Sequence, residues 1–177
     1  MTKTKWALDA SHSSVDFSVR HMMIANVKGT FNKFDATIDA DPTDLTTASI
    51  EFSVDTASVD TRNQDRDGHL VSADFFDAAN HPTMTFRSTK IEKTDDGEYN
   101  VTGDLTLRGV SKPETFAVTF EGQGKDPWGN EKVGFSAEGT INRSEYGLVW
   151  NAALETGGVL VADKVKINLQ IQAANAE

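Results

Sequence analysis

Apolar and polar residues alternate along most of this 177-residue chain, and this alternation limits the folds that it can adopt. A period of two places every apolar side chain of a segment on one face of a β-strand. The clearest alternating runs are residues 15–19, 50–54, 101–107, 116–120, 133–141 and 165–171. The sequence therefore predicts an all-β protein with about eight strands, each of which has one apolar face.

Short segments rich in turn-forming residues separate these runs, for example Asp41–Asp44 and Asp126–Asn130. Because the connections are short, consecutive strands should pair antiparallel. The apolar faces can be buried in a sandwich of two sheets or in one sheet that closes into a barrel. Closure removes both exposed edges, and about eight strands leave room for one small ligand. The pattern favours an extended antiparallel eight-stranded up-and-down barrel, lipocalin-like in form, with residues 1–177 as one domain.

Two segments depart from this regular pattern. The alternation changes phase within residues 27–41, which predicts a β-bulge near Asn32 and Lys33. The stretch Thr61–Gln64 fits a capping box, in which the first and last side chains satisfy free backbone groups at a helix start. Gly68 weakens a helix interior by about 1 kcal/mol relative to Ala, so the helix should be short. We expect one or two short helices near one end of the barrel.

Charge and composition exclude several classes of function. The chain has 17 Lys and Arg against 27 Asp and Glu, a net charge of −10, so we expect no nucleic-acid partner. Cysteine is absent, which removes thiol nucleophiles and cysteine metal sites. The apolar runs are too short to cross about 30 Å of hydrocarbon, and no apolar stretch of a secretory signal follows Lys5. We therefore expect no transmembrane anchoring and a cytoplasmic location.

No motif predicts a catalytic or metal site. The four histidines lack the helical spacing of a zinc site, and Asp39–Asp44 lacks the central glycine of a calcium loop. The members of a Ser/His/Asp site need only meet in space, so the sequence leaves such a site open. A separate open hypothesis is an isomerase or hydrolase, for which His21, Arg143 and Asp67 are the residues to substitute. We expect no metal, no cofactor and no enzymatic activity.

Four glycines fall on the face that should point inward: Gly29, Gly103, Gly122 and Gly139. Glycine weakens a strand unless the backbone bends sharply or another group approaches closely. One interpretation is curvature at the corners of the barrel. The other is that the missing side chains leave a cavity beside aromatic walls, as an elongated apolar ligand would need.

A set of motifs runs in order from Trp6 to Asp163 and covers nearly the whole chain. It consists of Trp6, Asp9, His12-Ser13, His21, Val27–Phe31, Arg66–Leu70, Asp74–Asp77, Pro82, Gly103–Pro113, Trp128-Gly129, Arg143–Leu148 and Trp150-Asn151. Together these motifs resemble the YceI-like family of lipocalin-like, polyisoprenoid-binding proteins. The resemblance implies an eight-stranded barrel that holds a polyprenyl chain, an isoprenoid quinone or a fatty-acid derivative, and it suggests a homodimer.

The expected ligand-binding residues combine the inward-facing positions with these motifs. They are Phe17, Val19, His21, Phe31, Phe52, His69, Leu70, Phe76, Phe86, Leu105, Phe120, Phe135, Arg143 and Trp150. His21 is either a hydrogen-bonded core residue or a ligand contact. Arg143 binds either an acidic lipid head or a buried carboxylate such as that of Asp163 or Asp67.

Two further segments have a structural and a functional interpretation. Arg66 and Asp67 either form an ion pair that anchors the helix to the barrel or contact the ligand with His69. Residues 147–158 form either a wide connection at the barrel end or a lid with glycine hinges.

The favoured hypothesis is non-catalytic binding, carriage or storage of a long isoprenoid or acyl lipid in the lumen. The alternative is a stress-response or interaction module whose barrel is filled by its own side chains and takes no lipid.

Overall fold

The computed structural model describes residues 3–152, 154 and 160–176. Within them lie eleven β-strands, one α-helix and three short 3₁₀ turns at Ala10–His12, Thr56–Ser58 and Arg143–Tyr146. The strands are β1 (Thr4–Leu8), β2 (Ser14–His21), β3 (Ala25–Phe31), β4 (Phe34–Asp41), β5 (Asp44–Asp55), β6 (Val59–Asp60), β7 (Thr83–Asp95), β8 (Glu98–Leu107), β9 (Val110–Lys125), β10 (Glu131–Asn142) and β11 (Val161–Asn175). The helix α1 spans Gln64–Leu70.

The sheet closes through β11, which pairs with β10 on one side and with both β2 and β1 on the other. Residues 165–170 face β2, whereas residues 173–175 face β1. Thus β1 and β2 together occupy one of the eight strand positions of the barrel, and β3 and β4 together occupy the next position. With β5 and β7–β11 they make a closed eight-stranded antiparallel barrel. The predicted barrel is confirmed, and the sandwich is excluded.

The phase change within residues 27–41 has a different cause from the predicted bulge. Asn32 and Lys33 break the strand, so that β3 pairs with β2 and β6 while β4 pairs with β1 and β5. The amide of Asn32 donates to the carbonyl of Ser58 at 3.1 Å, and the amide of Lys33 donates to the Ser58 hydroxyl at 3.0 Å. The 3₁₀ turn at Thr56–Ser58 therefore supplies the backbone partners that the break leaves open.

The helix α1 lies where the sequence predicts one, but the capping box was wrong. Asn63 is the N-cap, since its side-chain oxygen accepts the amide of Arg66 at 3.0 Å. Thr61 is buried, accepts a hydrogen bond from Nε of Arg66 at 2.8 Å and donates its hydroxyl to Asp67. Within the described part of the chain no ion pair joins Arg66 to Asp67, so the helix is anchored through Thr61.

Apolar side chains fill the two ends of the barrel differently. At the end remote from α1, which we call the far end, Trp6 is buried against Leu45, Val133 and Ala173, and its indole N–H donates to the carbonyl of Ala40 at 3.2 Å. The opposite end, the helix end, has a second buried group. It comprises Phe75, Leu105, Leu107, Ile141, Tyr146 and Leu148. Each fully buried side chain of this kind contributes about 1.5–3 kcal/mol, so both groups stabilise the closed barrel.

Candidate functional site

A cavity of about 480 Å³ lies inside the helix end of the barrel. Its wall is built from inward-facing residues of β2, β3, β7, β8, β10 and β11, together with α1 and the turn that follows it. The apolar lining residues are Val15, Phe17, Val19, Val27, Phe31, Leu70, Phe75, Phe76, Met84, Leu107, Ile141, Leu148, Trp150, Leu160, Val161, Val165 and Ile167. Such a wall offers an apolar molecule many contacts and few polar groups.

Polar side chains line this cavity mainly beside α1. Asn63, Asp65, Arg66 and His69 come from the start and body of the helix, and Asn63 and Asp65 are exposed to solvent. His21 lies at the end of β2 and also lines the cavity. The helix side is therefore the polar edge of an otherwise apolar chamber, which is the arrangement that an amphiphile with a long tail requires.

A second, smaller cavity of about 100 Å³ lies deeper in the barrel. Its wall is formed by residues of β4, β5, β7, β8, β9, β10 and β11, and it is almost entirely apolar. Ile38, Leu45 and Ile171 belong to its lining and mark its position toward the far end. The described residues thus line two spaces in the lumen, and the larger of these lies on the helix side.

Aromatic rings occupy the space above three of the inward-facing glycines. A Cβ built at each of these glycines would collide with the ring of a phenylalanine on the neighbouring strand. The pairs are Phe17 with Gly29, Phe86 with Gly103 and Phe116 with Gly139. These glycines therefore hold rings against the wall, and the interpretation that their missing side chains leave a ligand cavity is wrong.

Gly122 behaves differently from these three glycines. Its φ is +131°, and no atom lies within 4 Å of a Cβ built there. The register between β9 and β10 shifts beside it, between Gly134 and Phe135. Here the curvature interpretation holds, because the left-handed backbone at the irregularity favours glycine.

Arg143 is held by backbone carbonyl groups. Its side chain is only 5% exposed, Nε donates to the carbonyl of Ala162 at 2.8 Å, and Nη2 donates to that of Val161 at 3.1 Å. Nη1 donates to Leu148 at 2.6 Å and to Trp150 at 3.1 Å. Desolvation lowers the pKa of this guanidinium from its ordinary value, but the carbonyl partners satisfy its donors. Arg143 therefore ties together the chain on both sides of residues 151–160.

Neither carboxylate proposed for Arg143 is its main partner. Asp163 lies 3.9 Å from Nη2 and is 58% exposed, and Asp67 binds Thr61. Arg143 does form an ion pair with Asp163, but this carboxylate is exposed rather than buried as expected. Four carbonyl oxygens accept the hydrogen bonds of the guanidinium.

Two histidines line the cavity and differ in their partners. Nε2 of His69 donates to the carboxylate of Asp74 at 2.9 Å. The ring packs edge-on against Trp150 and Phe75, with centroid distances of 4.7 and 5.0 Å. The side chain of His21 has no hydrogen bond among the described residues, so it is not the hydrogen-bonded core histidine considered from sequence. Its imidazole is available at the cavity wall.

The predicted site residues divide into three groups. Nine of them line the larger cavity: Phe17, Val19, His21, Phe31, His69, Leu70, Phe76, Arg143 and Trp150. Phe52, Phe86 and Phe135 line the smaller cavity. Leu105 and Phe120 pack among core side chains and line neither space.

Sequence reasoning missed several lining residues, and for some of them a signal was present. Val15, Val165 and Ile167 share the inward parity of their strands, so alternation alone identifies them. Phe75 and Leu148 lie outside the strands, where no periodic signal exists. The predicted lid at residues 147–158 falls partly on 153 and 155–158, which lie outside the described residues.

The described residues contain neither a cluster of metal ligands nor a membrane-spanning helix. No group of three or more His, Asp or Glu side chains there is arranged to hold a metal ion. None of the helices found there has the length and apolar character needed to span a bilayer.

Residues 6–173 match the YceI-like domain. The chain belongs to the YceI-like family. A UPF0312 protein of Staphylococcus epidermidis is 44% identical over 164 residues, which cover 92% of this chain and 93% of that protein. The crystal structure of Burkholderia cenocepacia BcnA matches this YceI-like chain with a TM-score of 0.82 and 28% identity, covering 93% and 98% of the two chains.

The fold also occurs in a more distant domain. A polyisoprenoid binding domain from Saccharophagus degradans, implicated in plant cell wall breakdown, matches with a TM-score of 0.74 over 96% of this chain and 98% of that one. At 14% identity this likeness shows the fold alone. The resemblance found in the sequence is thus confirmed at the level of family and barrel.

Proposed function

We propose that this YceI-like barrel binds one long-chain apolar molecule, of the isoprenoid or acyl class, in its larger cavity. The observation that carries the proposal is the apolar chamber of about 480 Å³ with polar side chains along its helix side. The tail of an amphiphile would lie among the aromatic and aliphatic side chains. Its polar head would lie at the polar edge of the chamber, where Asn63 at the start of α1 and His21 at the end of β2 offer hydrogen-bonding groups.

The size of the chamber suits such a ligand. Because an apolar cavity of about 150 Å³ holds one benzene molecule, this chamber holds on the order of 20 non-hydrogen atoms. Each methylene removed from water contributes about 0.8 kcal/mol, so ten of them contribute about 8 kcal/mol before ordering costs. Binding at micromolar concentration therefore needs no charged group or cofactor.

The fold supports the same ligand class. A polyisoprenoid binding domain of Saccharophagus degradans uses this barrel, so the architecture is compatible with a chain of isoprene units. The open chamber also supports this proposal over a barrel filled by its own side chains, because a filled barrel would leave no space of this size.

We further propose that the ligand is carried or stored without chemical change. Several polar side chains of the chamber have structural partners, since Arg143 binds four carbonyl groups, His69 binds Asp74 and Arg66 binds Thr61. A catalytic acid or base would need to reach the ligand with a free polar atom. The imidazole of His21 is free, but no side chain among the described residues forms a hydrogen bond with it, as an activated pair would. The cytoplasmic location and the homodimer stay predictions.

The test is organic extraction of freshly purified protein followed by mass spectrometry, together with titration of the stripped protein by geranylgeraniol and by palmitic acid. Trp150 lines the chamber, so its emission should change on binding, whereas Trp128 is 83% exposed and should not respond. The proposal fails if no apolar molecule co-purifies and neither probe binds at micromolar concentration.

A matched pair of variants locates the site. Val165→Phe adds a ring inside the chamber, whereas Lys166→Phe places the same ring on the outer face of the same strand. We expect the first variant to weaken binding at least tenfold and the second to leave it within twofold. Equal effects of the two variants would place the ligand elsewhere. Circular dichroism checks that both variants fold.

A further inference from the structure

The two cavities of the lumen share no lining residue, although they follow one another along the same strands. On β7 the lining passes from Met84 in the larger cavity to Phe86 in the smaller one, and on β11 it passes from Ile167 to Leu169. Residues two apart on a strand point to the same face. The change from one space to the other therefore takes place between consecutive inward positions, and side chains at this level of the barrel separate the spaces.

The rings of Phe86 and Phe116 belong to this separating layer. Their centroids lie 5.3 Å apart at an interplanar angle of 86°, an edge-to-face contact. Leu105, which is buried and lines neither space, comes from the strand between them. On this side of the barrel the layer thus includes two packed rings and one aliphatic side chain.

Glycines on the neighbouring strands hold both rings in place. A Cβ at position 139 would lie 2.6 Å from Cδ1 and 2.9 Å from Cε1 of Phe116, so only glycine leaves room for the ring there. Phe86 occupies the corresponding space above Gly103. Rings that fill such spaces and also contact each other have few alternative rotamers.

We infer that Phe86 and Phe116 form a divider that limits the length of chain the barrel accepts. This inference rests on the proposed function and specifies its ligand. The larger cavity alone holds on the order of 20 non-hydrogen atoms, by comparison with one benzene in about 150 Å³. The inner cavity of about 100 Å³ stays closed to the tail while the divider is in place. The preferred ligand is thus an isoprenoid about as long as geranylgeraniol, and the extra length of a longer chain stays outside.

The experiment measures binding of geraniol, farnesol, geranylgeraniol and solanesol by displacement of Nile red. Each buried methylene strengthens binding about fourfold, so affinity should rise steeply from geraniol to geranylgeraniol. From geranylgeraniol to solanesol we expect less than a twofold change, because the added units stay in water. A continued steep rise to solanesol would overturn the inference.

Variants of the divider test its position. Phe116→Ala removes one ring of the divider and should connect the two cavities. We expect the ratio of solanesol affinity to geraniol affinity to be at least tenfold higher in this variant than in the wild type. Phe116→Leu is a milder variant that should act in the same direction if the alanine variant is unstable. The matched control is Phe34→Ala, since Phe34 stacks on Phe52 and lines neither cavity.

The outcomes separate the two proposals. If prenols bind the wild-type protein but Phe116→Ala and Phe34→Ala keep the same order of affinities, the divider is refuted and the proposed function stands. If none of the four prenols displaces the dye, the isoprenoid function is refuted, and the divider is refuted with it.

Discussion

The ring of Phe17 lies over Gly29, its direct cross-strand partner, and leaves no room for a Cβ at position 29. We expect Gly29→Ala to push this ring into the larger cavity, which Phe17 lines. Overpacking of this kind costs about 1–3 kcal/mol of unfolding free energy. The variant should also weaken binding of geranylgeraniol. Urea unfolding and dye displacement measure the two effects.

The control for this prediction is Gly124→Ala. No atom lies within 4 Å of a Cβ at position 124, so stability and binding should stay close to those of the wild type. A Gly29→Ala variant as stable as the Gly124→Ala variant would contradict the observed position of the Phe17 ring.

Replacing Arg143 should destabilise the helix end of the barrel. Arg143→Gln removes most of the hydrogen bonds to the carbonyl groups of residues 148, 150, 161 and 162. A buried polar group left without a partner costs about 1–3 kcal/mol, so we expect a loss of about 3 kcal/mol or more. Urea unfolding gives the loss.

Arg87→Gln is the matched control for this change. Arg87 is exposed and pairs with exposed Glu51 at 3.1 Å, a contact of little net value, so its loss should change the unfolding free energy by about 0.5 kcal/mol or less. If Arg143→Gln is as mild as this control, the carbonyl contacts do not hold the barrel end.

Stability in acid should depend on Asp9. Hydrogen bonds from Ser11 and His12 lower the pKa of Asp9 from 3.8 to about 2. A carboxyl group with a lowered folded-state pKa stabilises the protein above its ordinary pKa, and the effect is lost as the pH falls from about 4 to about 2. Asp9→Asn should therefore cost about 1 kcal/mol near neutral pH and almost nothing near pH 2.

Urea unfolding of wild type and Asp9→Asn over this pH range checks the prediction. Asp44→Asn is a control at the start of β5, where the carboxylate of Asp44 accepts hydrogen bonds only from nearby Thr46. A stability difference between wild type and Asp9→Asn that does not change with pH would speak against titration of Asp9 as its source.

Glu114 should have the opposite pH dependence. Its Oε2 accepts the hydroxyl of fully buried Tyr146 at 3.0 Å, yet burial raises the pKa of Glu114 above its ordinary value of 4.5. A carboxyl group with a raised folded-state pKa destabilises the protein when it is ionised, and protonation removes that cost. Glu114→Gln should therefore raise the unfolding free energy at neutral pH, and the gain should vanish in acid.

The measurement is urea unfolding at neutral and acidic pH, with Glu121→Gln on the exposed part of the same strand as control. A loss of stability in Glu114→Gln at neutral pH would mean that the charged hydrogen bond to Tyr146 outweighs the cost of burial.

Much of the fold was predictable because β-strands have a simple period. The alternation at residues 15–19 and 165–171 identifies inward-facing side chains, and Phe17, Val19 and Ile167 indeed line the larger cavity. The place and the short length of the helix were predictable from the residues around its start and from Gly68. The N-cap residue was not, because Thr61 is buried in the core and Asn63 caps the helix instead.

The contacts of single inward side chains were less predictable. Parity places Leu105 and Phe120 inside the barrel but does not distinguish packing from lining, and both residues pack. The partners of Arg143 were not predictable either, because four carbonyl groups from two distant segments come together only when the barrel end forms.

The sequence by itself determined the strands, their inward faces and the apolar character of the interior, because these depend on a local repeat of two residues. Only the tertiary structure decided that Phe17, Phe86 and Phe116 lie over glycines of neighbouring strands, and that the interior is divided into two cavities. The register between strands that are far apart in the sequence sets which ring faces which glycine, and the period of a single strand carries no information about that register.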